Sequence, residues 1–413
     1  MKKLEGLLCV LFILICLSSC NKNIAASVDT YISETFAVNT PWVSTPTLSP
    51  SPTPIPIPKL TATILSAGDV IMHDAVIQSG KKDSGDYDYT GIFKEIKPYV
   101  QKSDFSIISY EGVSLDSDKN YTGYPLFNAP PAIMEAFSDT GFKMVNTGNN
   151  HCLDRGLKGL LETGNIIKQL KMQVIGTFQD IAVPRHKIHD LNGIKVGFLS
   201  YTYGCNMNEN RLTKEEQDIH LNLIDNEKLK MEIEALSKTT DMVVVLVHWG
   251  IEYRQEPTDA QKKLADSMFL WGADIVLGSH PHVVEPSEIR ETDGKNKYVI
   301  YSMGNFLSNQ IGGNNPNPRN NDLTEDSMMI SLEIEKDLET GKTSLTSVKH
   351  IPTWVYRYME NGIYQYTIFP IPSPEHESLN KHDDTLAEKL RNSYNRTMSM
   401  VKDWDRESDS PQQ

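Results

Sequence analysis

From Lys59 onward, short apolar runs rich in valine and isoleucine alternate with amphipathic stretches of about ten to fifteen residues. This restricts the chain to strands and helices in succession. Strands are expected at Thr61–Ala67, Phe105–Ser109, Lys143–Thr147, Ile194–Tyr201, Met242–His248, Asp274–Leu277 and Tyr298–Ser302. Helices are expected between them, at Gly91–Lys102, Pro131–Asp139, Leu157–Leu170, Asn226–Lys238 and Thr258–Trp271, with Pro131 suited to a first helical turn and Gly141 to a stop. Such a chain folds as an α/β layered architecture, because each strand–helix pair must bury its apolar face against the next layer. After Asp326 the pattern becomes a two-residue alternation in SMMISLEIEKD and KTSLTSVKHIPTWVYR around Gly341, which predicts antiparallel strands closing the domain.

The first 58 residues follow different rules. Lys2 and Lys3 precede an apolar run, Leu7 to Leu17, and then Leu17-Ser18-Ser19-Cys20. At roughly a dozen residues the run is short of the roughly twenty needed to span a bilayer. The order of charge, apolar core and small residues is that of a secretory signal, residues 1–19, and the cysteine after it resembles a bacterial lipobox whose Cys20 carries a lipid anchor. A plain cleaved signal is the other reading. Residues 20–58 then form a membrane-proximal linker, ending in the polyproline-like TPTLSPSPTPIPIP. A folded domain over residues 59–370 and a polar, charged, partly helical tail over 371–413 complete the expected organisation. The expected location is the extracytoplasmic face of the bacterial cell membrane.

Forty basic against fifty-four acidic side chains give a net charge of -14. That field repels phosphate backbones, so no nucleic-acid partner is expected. Five cysteines are present, of which Cys9 and Cys16 belong to the signal and Cys20 to the lipobox. Cys152 and Cys205 remain; two thiols are too few for a disulfide scaffold, and whether they pair is left open by their spacing.

The residues with most chemistry stand where expected strands end. Asp69 ends ILSAGD, Glu111 follows FSIISYEG, Asn150 and His151 end MVNTGNNH, His248 ends VVVLVH, and His280 and His282 follow ADIVLGSHPH. In layered α/β folds ligands gather beyond the carboxyl ends of strands, where loops converge on a rigid sheet. Mixed carboxylate and imidazole donors suit one or two divalent ions, Mn, Fe or Zn. His151, with Asp154 three residues on to orient its ring, is a candidate general acid or oxyanion partner. Glu252, four residues after His248, is a candidate catalytic or substrate-binding carboxylate, and Asn305 in SMGNF a candidate to position the His280 and His282 loop through hydrogen bonds. Trp249, Tyr253 and Trp271 are candidates for a cleft lining or for the core, with the core favoured for Trp271.

In this order, GDVIMHD, YEG, GNNHCLDRG, VHWGIEY, GSHPHVVEP and YSMGNFL resemble the capsule-synthesis CapA proteins associated with poly-γ-glutamate production, over about Thr61 to Leu307. That family is similar to the calcineurin-like metallophosphoesterases, so the resemblance implies a four-layer αββα sandwich with two metals at the strand ends. It implies that Asp69 holds the first metal, Glu111 bridges, Asn150 and His248 bind the second, His280 and His282 complete the cluster, and His151 faces substrate. The chain departs from the phosphoesterase pattern in two places: Ile71 stands where an imidazole is usual, with His73 two residues later, and Glu111 replaces an aspartate. The expected function is therefore a lipid-anchored metal-dependent hydrolase or transferase in capsular polymer synthesis, with poly-γ-glutamate and capsule-synthase membrane subunits as partners. The other reading is an accessory protein that guides nascent polymer without turning it over.

Overall fold

A computed structural model describes residues 58–292, 294–312, 322–373 and 382–406. The expected signal segment, Cys20 and the proline-rich linker up to residue 57 lie outside the described residues. Among those described, no helix is long and apolar enough to cross a membrane.

Two sheets form the centre. The first contains β1 (Lys59–Val70), β2 (Phe105–Tyr110), β3 (Met144–Asn146) and β4 (Gln173–Ile175), parallel to one another, continued on the other side of β1 by antiparallel β12 (Asp326–Asp337), β13 (Thr343–Glu360) and β14 (Ile363–Pro370). Short β11 (Asn305–Leu307) pairs with the end of β1, and β15 (Trp404–Asp405) with β13. The second sheet runs in the order β5 (Lys187–Leu191), β6 (Ile194–Thr202), β7 (Met242–His248), β8 (Ile275–Ser279), β10 (Lys295–Ile300), β9 (Ser287–Thr292), and β6, β7, β8 and β10 are parallel.

The apolar residues sort these elements into four layers. Ile64, Ile107 and Met144 of the first sheet meet Val196, Phe198, Val244, Leu246 and Leu277 of the second. The opposite face of the first sheet, through Leu65, Ile108 and Val145, packs on Ile133, Met134 and Phe137 of α3 (Ala132–Thr140) and Ile167 of α4 (Gly156–Gln169). The opposite face of the second sheet, through Val243, Val245 and Val247, packs on Leu229 and Ile233 of α6 (Asn226–Ser237) and on Ala265, Met268 and Phe269 of α7 (Asp259–Trp271). The run MVVVLVH is apolar throughout because helices cover one face of β7 and a sheet the other. The architecture is thus the expected αββα sandwich.

Local signals explain the helix limits. Thr258 and Gln261 make a reciprocal capping box at the start of α7, and Gly272 stops it with a left-handed φ of 113°. The helix expected over Gly91–Lys102 is interrupted: a 3₁₀ turn covers Thr90–Phe93 and α2 begins afresh at Lys97, because Pro98 has no N–H to continue the earlier ladder. Helices α1 (Asp74–Ser79) and α5 (Lys214–His220), and strands β4, β5, β9, β11, β14 and β15, lie outside the expected elements. They are short, or lie at a sheet edge with mixed polarity, and so carry little periodic signal.

Beyond Pro370 the described residues include a helix, α8 (Asp384–Met398), and it does not trail from the domain. Leu386 and Leu390 of α8 pack on Trp354 and Ile371. Arg396 and Ser393 of α8 hold the buried Asp326 carboxylate at 2.8 and 2.5 Å. β15 then adds to β13, pairing Trp404 with Val348.

Close backbone packing makes Gly278 of β8 irreplaceable: a Cβ there would lie 1.9 Å from the carbonyl oxygen of Tyr301 and 2.7 Å from Trp249 Nε1. Gly278→Ala is expected to cost about 3 kcal/mol or more, read as a lowered urea midpoint, since a backbone carbonyl cannot step aside as a side chain can.

Candidate metal centre

Both sheets bring their carboxyl ends to one edge. Asp69 is the penultimate residue of β1 and Glu111 directly follows β2; Asn150 and His151 lie in the loop after β3. His248 ends β7, His280 and His282 follow β8, and Asn305 opens β11, paired in register with Asp69. His280 and His282 both have positive φ, 101° and 62°. For a residue with a Cβ this is sparsely populated backbone that the surrounding structure must impose, and here it turns both rings into the edge.

The donors meet closely. Glu111, His248 and His280 each offer a ligand atom within 4.8 Å of the others, and all three are buried. His248 Nε2 lies 3.8 Å from Glu111 Oε1, and His282 Nδ1 lies 4.0 Å from Glu111 Oε2. The Asn150 amide oxygen stands 3.0 Å from His248 Nε2, while His248 Nδ1 and Ser279 Oγ are 2.9 Å apart. Asp69 Oδ2 accepts the backbone N–H of His280 at 3.0 Å, so this carboxylate reaches the histidine loop through its main chain. Asn305 Oδ1 accepts from His282 Nδ1 at 3.0 Å, and the Asn305 amide nitrogen donates to Gln310 Oε1 and to the Thr324 carbonyl. Those donations fix the amide orientation, hence the His282 tautomer: Nδ1 carries the proton and Nε2 the free lone pair.

The electrostatics are those of a site lacking a positive centre. Burial pushes the Asp69 carboxyl up to about 7. Burial, with the neighbouring charges of Asp69, Glu252 and Asp154, pushes Glu111 well above the ordinary range. Among the described residues, no lysine or arginine pairs with either carboxylate. Burial first, then mutual repulsion, drives His248 well below its usual pKa, His280 to about 4 and His282 to about 3, so the imidazoles are neutral. Glu111 Oε2 and His280 Nδ1 are buried with no hydrogen-bond partner. A buried carboxylate oxygen without a donor and a buried lone pair without a proton are both costly, and a cation satisfies both at once. The donor set therefore fits a divalent metal.

Beside this cluster, His151 Nδ1 lies 2.8 Å from Asp154 Oδ2, which also accepts the Phe127 N–H at 2.8 Å. The Phe127 ring meets His151 edge-on at 4.7 Å. The expected dyad geometry is present in a largely buried setting. Glu252 is exposed and makes no hydrogen bond to these groups among the described residues; partial desolvation raises its pKa. The core of the structure takes Trp249, whose indole donates to the Tyr301 carbonyl at 2.9 Å, away from any cleft; Trp271 packs on the same helix-facing core, and only Tyr253 reaches the site, with its ring 5.5 Å from His282. Ile71 is fully buried, and His73 Nδ1 accepts the Asn309 N–H at 3.2 Å, with its ring edge-on to Phe127 at 5.6 Å.

Three site residues escaped the sequence reading. Tyr203 stacks parallel to the His248 ring at 6.3 Å and contacts His280 at 4.7 Å. Asn206 reaches both Asn150, at 3.3 Å, and His151 Nε2, at 3.4 Å. Gln310 links Asn305 to the Tyr253 hydroxyl, to which it donates at 2.9 Å. The first two follow β6, and the rule applied to the other strand ends would have found them there.

A sandwich whose two sheets deliver buried carboxylate, amide and imidazole donors to one edge defines the chain as an αββα protein with a candidate metal centre. More narrowly, the chain belongs to the family described as bacterial capsule synthesis protein PGA_cap, whose profile matches residues 63–310. It is 30% identical to the capsule biosynthesis protein CapA of Bacillus anthracis over 260 residues, 61% of this chain and 60% of that protein. It is 28% identical to the PGA biosynthesis protein CapA of Bacillus subtilis (strain 168) over 300 residues, 69% of this chain and 71% of that protein. Among solved structures, a phosphatase of Mycoplasma pneumoniae aligns at 15% identity and a TM-score of 0.41, covering 71% of this chain and 93% of its own. The sulfate thiohydrolase SoxB of Thermus thermophilus aligns at 11% identity and 0.38, covering 75% and 46%. At such identities and scores nothing about chemistry follows from these two.

Proposed function

We propose that the chain is a metal-dependent hydrolase or transferase acting in poly-γ-glutamate capsule synthesis, held by a lipid on Cys20 at the extracytoplasmic face of the bacterial membrane. The observation that carries the catalytic part is the buried Glu111, His248 and His280 cluster with its two unpartnered atoms. Membership of the capsule synthesis family, and the names of the two Bacillus relatives, support the process. The lipobox-like Leu17-Ser18-Ser19-Cys20 and the proline-rich spacer support the location.

Glu111, His248 and His280 would hold the ion, with Asp69, Asn150 and His282 at hand for it or for a second; Mn, Fe and Zn all suit these donors. A bound divalent ion supplies a Lewis acid for a phosphoryl or carbonyl oxygen and lowers the pKa of water. The protein's own part is proton handling and positioning. Asp154 holds the Nδ1 proton of His151 and stabilises the ring when Nε2 takes up a second, so Nε2 can deliver a proton to a leaving group. Tyr203 and Tyr253 flank the histidines with aromatic faces against which substrate can lie.

The test is metal content: the full chain is expected to retain divalent metal through desalting, and the His248→Ala, His280→Ala double variant to lose it while keeping its far-UV spectrum. Equal, negligible metal in both would end the catalytic reading. A finer expectation concerns Asn305→Ala, which removes the partner of His282 Nδ1. Mn²⁺ affinity should fall about 10- to 100-fold by calorimetric titration, because a metal-binding imidazole needs its second nitrogen held. Unchanged affinity would mean that His282 is no ligand.

One observation favours the accessory reading: buried Ile71 fills a position where the phosphoesterase pattern has a ligand. A protein that guides polymer without cleaving it would bind poly-γ-glutamate yet show no turnover of phosphoesters or amides with any of these metals.

A further inference from the structure

Cys152 and Cys205 are both free and buried, and their sulfurs lie 3.5 Å apart. They are 53 residues apart in the chain and belong to different loops, one after β3 and one after β6. Each loop carries part of the site. Asn150 and His151 immediately precede Cys152, Asn206 immediately follows Cys205, and the loops already touch through the Asn150 and Asn206 amides at 3.3 Å. The thiols sit in a small apolar cluster with Leu153, Leu160 and Leu221. Two cysteines packed as mere hydrophobes need not face each other, whereas these do, with their sulfurs at 3.5 Å against a bonded distance of about 2 Å.

We infer that Cys152 and Cys205 form a disulfide that staples the two loops beneath the candidate metal centre. Each thiol gives up its hydrogen, a sulfur–sulfur bond forms, and the two electrons and two protons pass to a low-molecular-weight disulfide, whose own bond breaks to give two thiols. Contact with Cys152 and burial hold the Cys205 thiol well above the usual thiol pKa, and the same burial shields the bond once it is made. Only the supply of oxidant in the cell rests on the extracytoplasmic location proposed above; the geometry of the pair does not.

The experiment takes the full chain, incubates it with excess glutathione disulfide, blocks remaining thiols under denaturing conditions and maps peptides without reduction. A cross-linked peptide joining Cys152 to Cys205, lost on reduction, is expected. Two alkylated cysteines, or glutathione attached to one of them, would overturn the inference. The oxidant is supplied in the tube, so the result is independent of where the protein resides. Melting of the same samples gives the second readout: the oxidised form should melt about 5 °C or more above the reduced one, since the closed loop is long. Cys205→Ala should melt at one temperature in both treatments. A cross-linked peptide without any rise in melting temperature would remove the stapling role.

Discussion

Replacing His151 by alanine is expected to leave the metal content of the protein unchanged and to slow hydrolysis of a nitrophenyl phosphodiester by about 10²- to 10⁴-fold, the usual range for loss of a general acid or base. The separation of the two readouts follows from the geometry. His151 is bound to Asp154 at 2.8 Å and bracketed by Phe127 and Asn206, whereas the clustered donors are Glu111, His248 and His280. Asp154→Asn keeps the shape and an acceptor oxygen for the Phe127 N–H but removes the carboxylate that orients the His151 ring, so it should also depress the rate while leaving the metal content unchanged. A His151→Ala protein that turns over substrate at the parental rate would show that the dyad is structural. Loss of metal from that variant would place His151 among the ligands instead.

The second large effect concerns stability. Glu285 lies fully buried; its Oε2 accepts from Gln261 at 2.8 Å and its Oε1 has no partner. Burial pushes its carboxyl up from 4.5 to about 8. The folded state therefore holds a proton that the unfolded state releases near pH 4.5. A raised carboxyl contributes its stability in full below the unfolded value, and loses it as pH rises through the folded one. At about 1.4 kcal/mol for each tenfold in affinity the gap corresponds to about 5 kcal/mol. The stranded amide of a glutamine would take back part of this. Glu285→Gln is thus expected to stabilise the protein by about 2 to 4 kcal/mol at pH 9 and to change little at pH 4.5, measured by urea unfolding at the two values. Equal effects at both pH values would mean that Glu285 ionises normally in the fold.

The layered class and most parallel strands were legible because both faces of those strands are covered. A run such as MVVVLVH then has no polar interruption, and its length alone separates it from a helix. The candidate donors were legible for a related reason: a charged or imidazole side chain directly after such a run has few places to go but the sheet edge. What escaped was set by the third dimension. Tyr203 and Asn206 follow an equally apolar strand but belong to residue types common in turns, and Gln310 acts through two intermediaries, Asn305 and Tyr253. The break at Pro98 was visible in the sequence but outweighed by helical periodicity on either side. Trp249 fell between two roles because HWG follows a strand end, where one residue faces the edge and the next turns back to the helices.

The docking of α8 has a consequence for how the molecule comes into being. The groove over Trp354 and Ile371 is filled by Leu386 and Leu390, and Asp326 in β12 pairs with Arg396. A ribosome emits β12 and β13 before the segment that covers them, so the nascent polypeptide stays open on this flank until α8 has emerged. Premature termination after β14 would therefore give a protein with an open apolar flank rather than a smaller closed one.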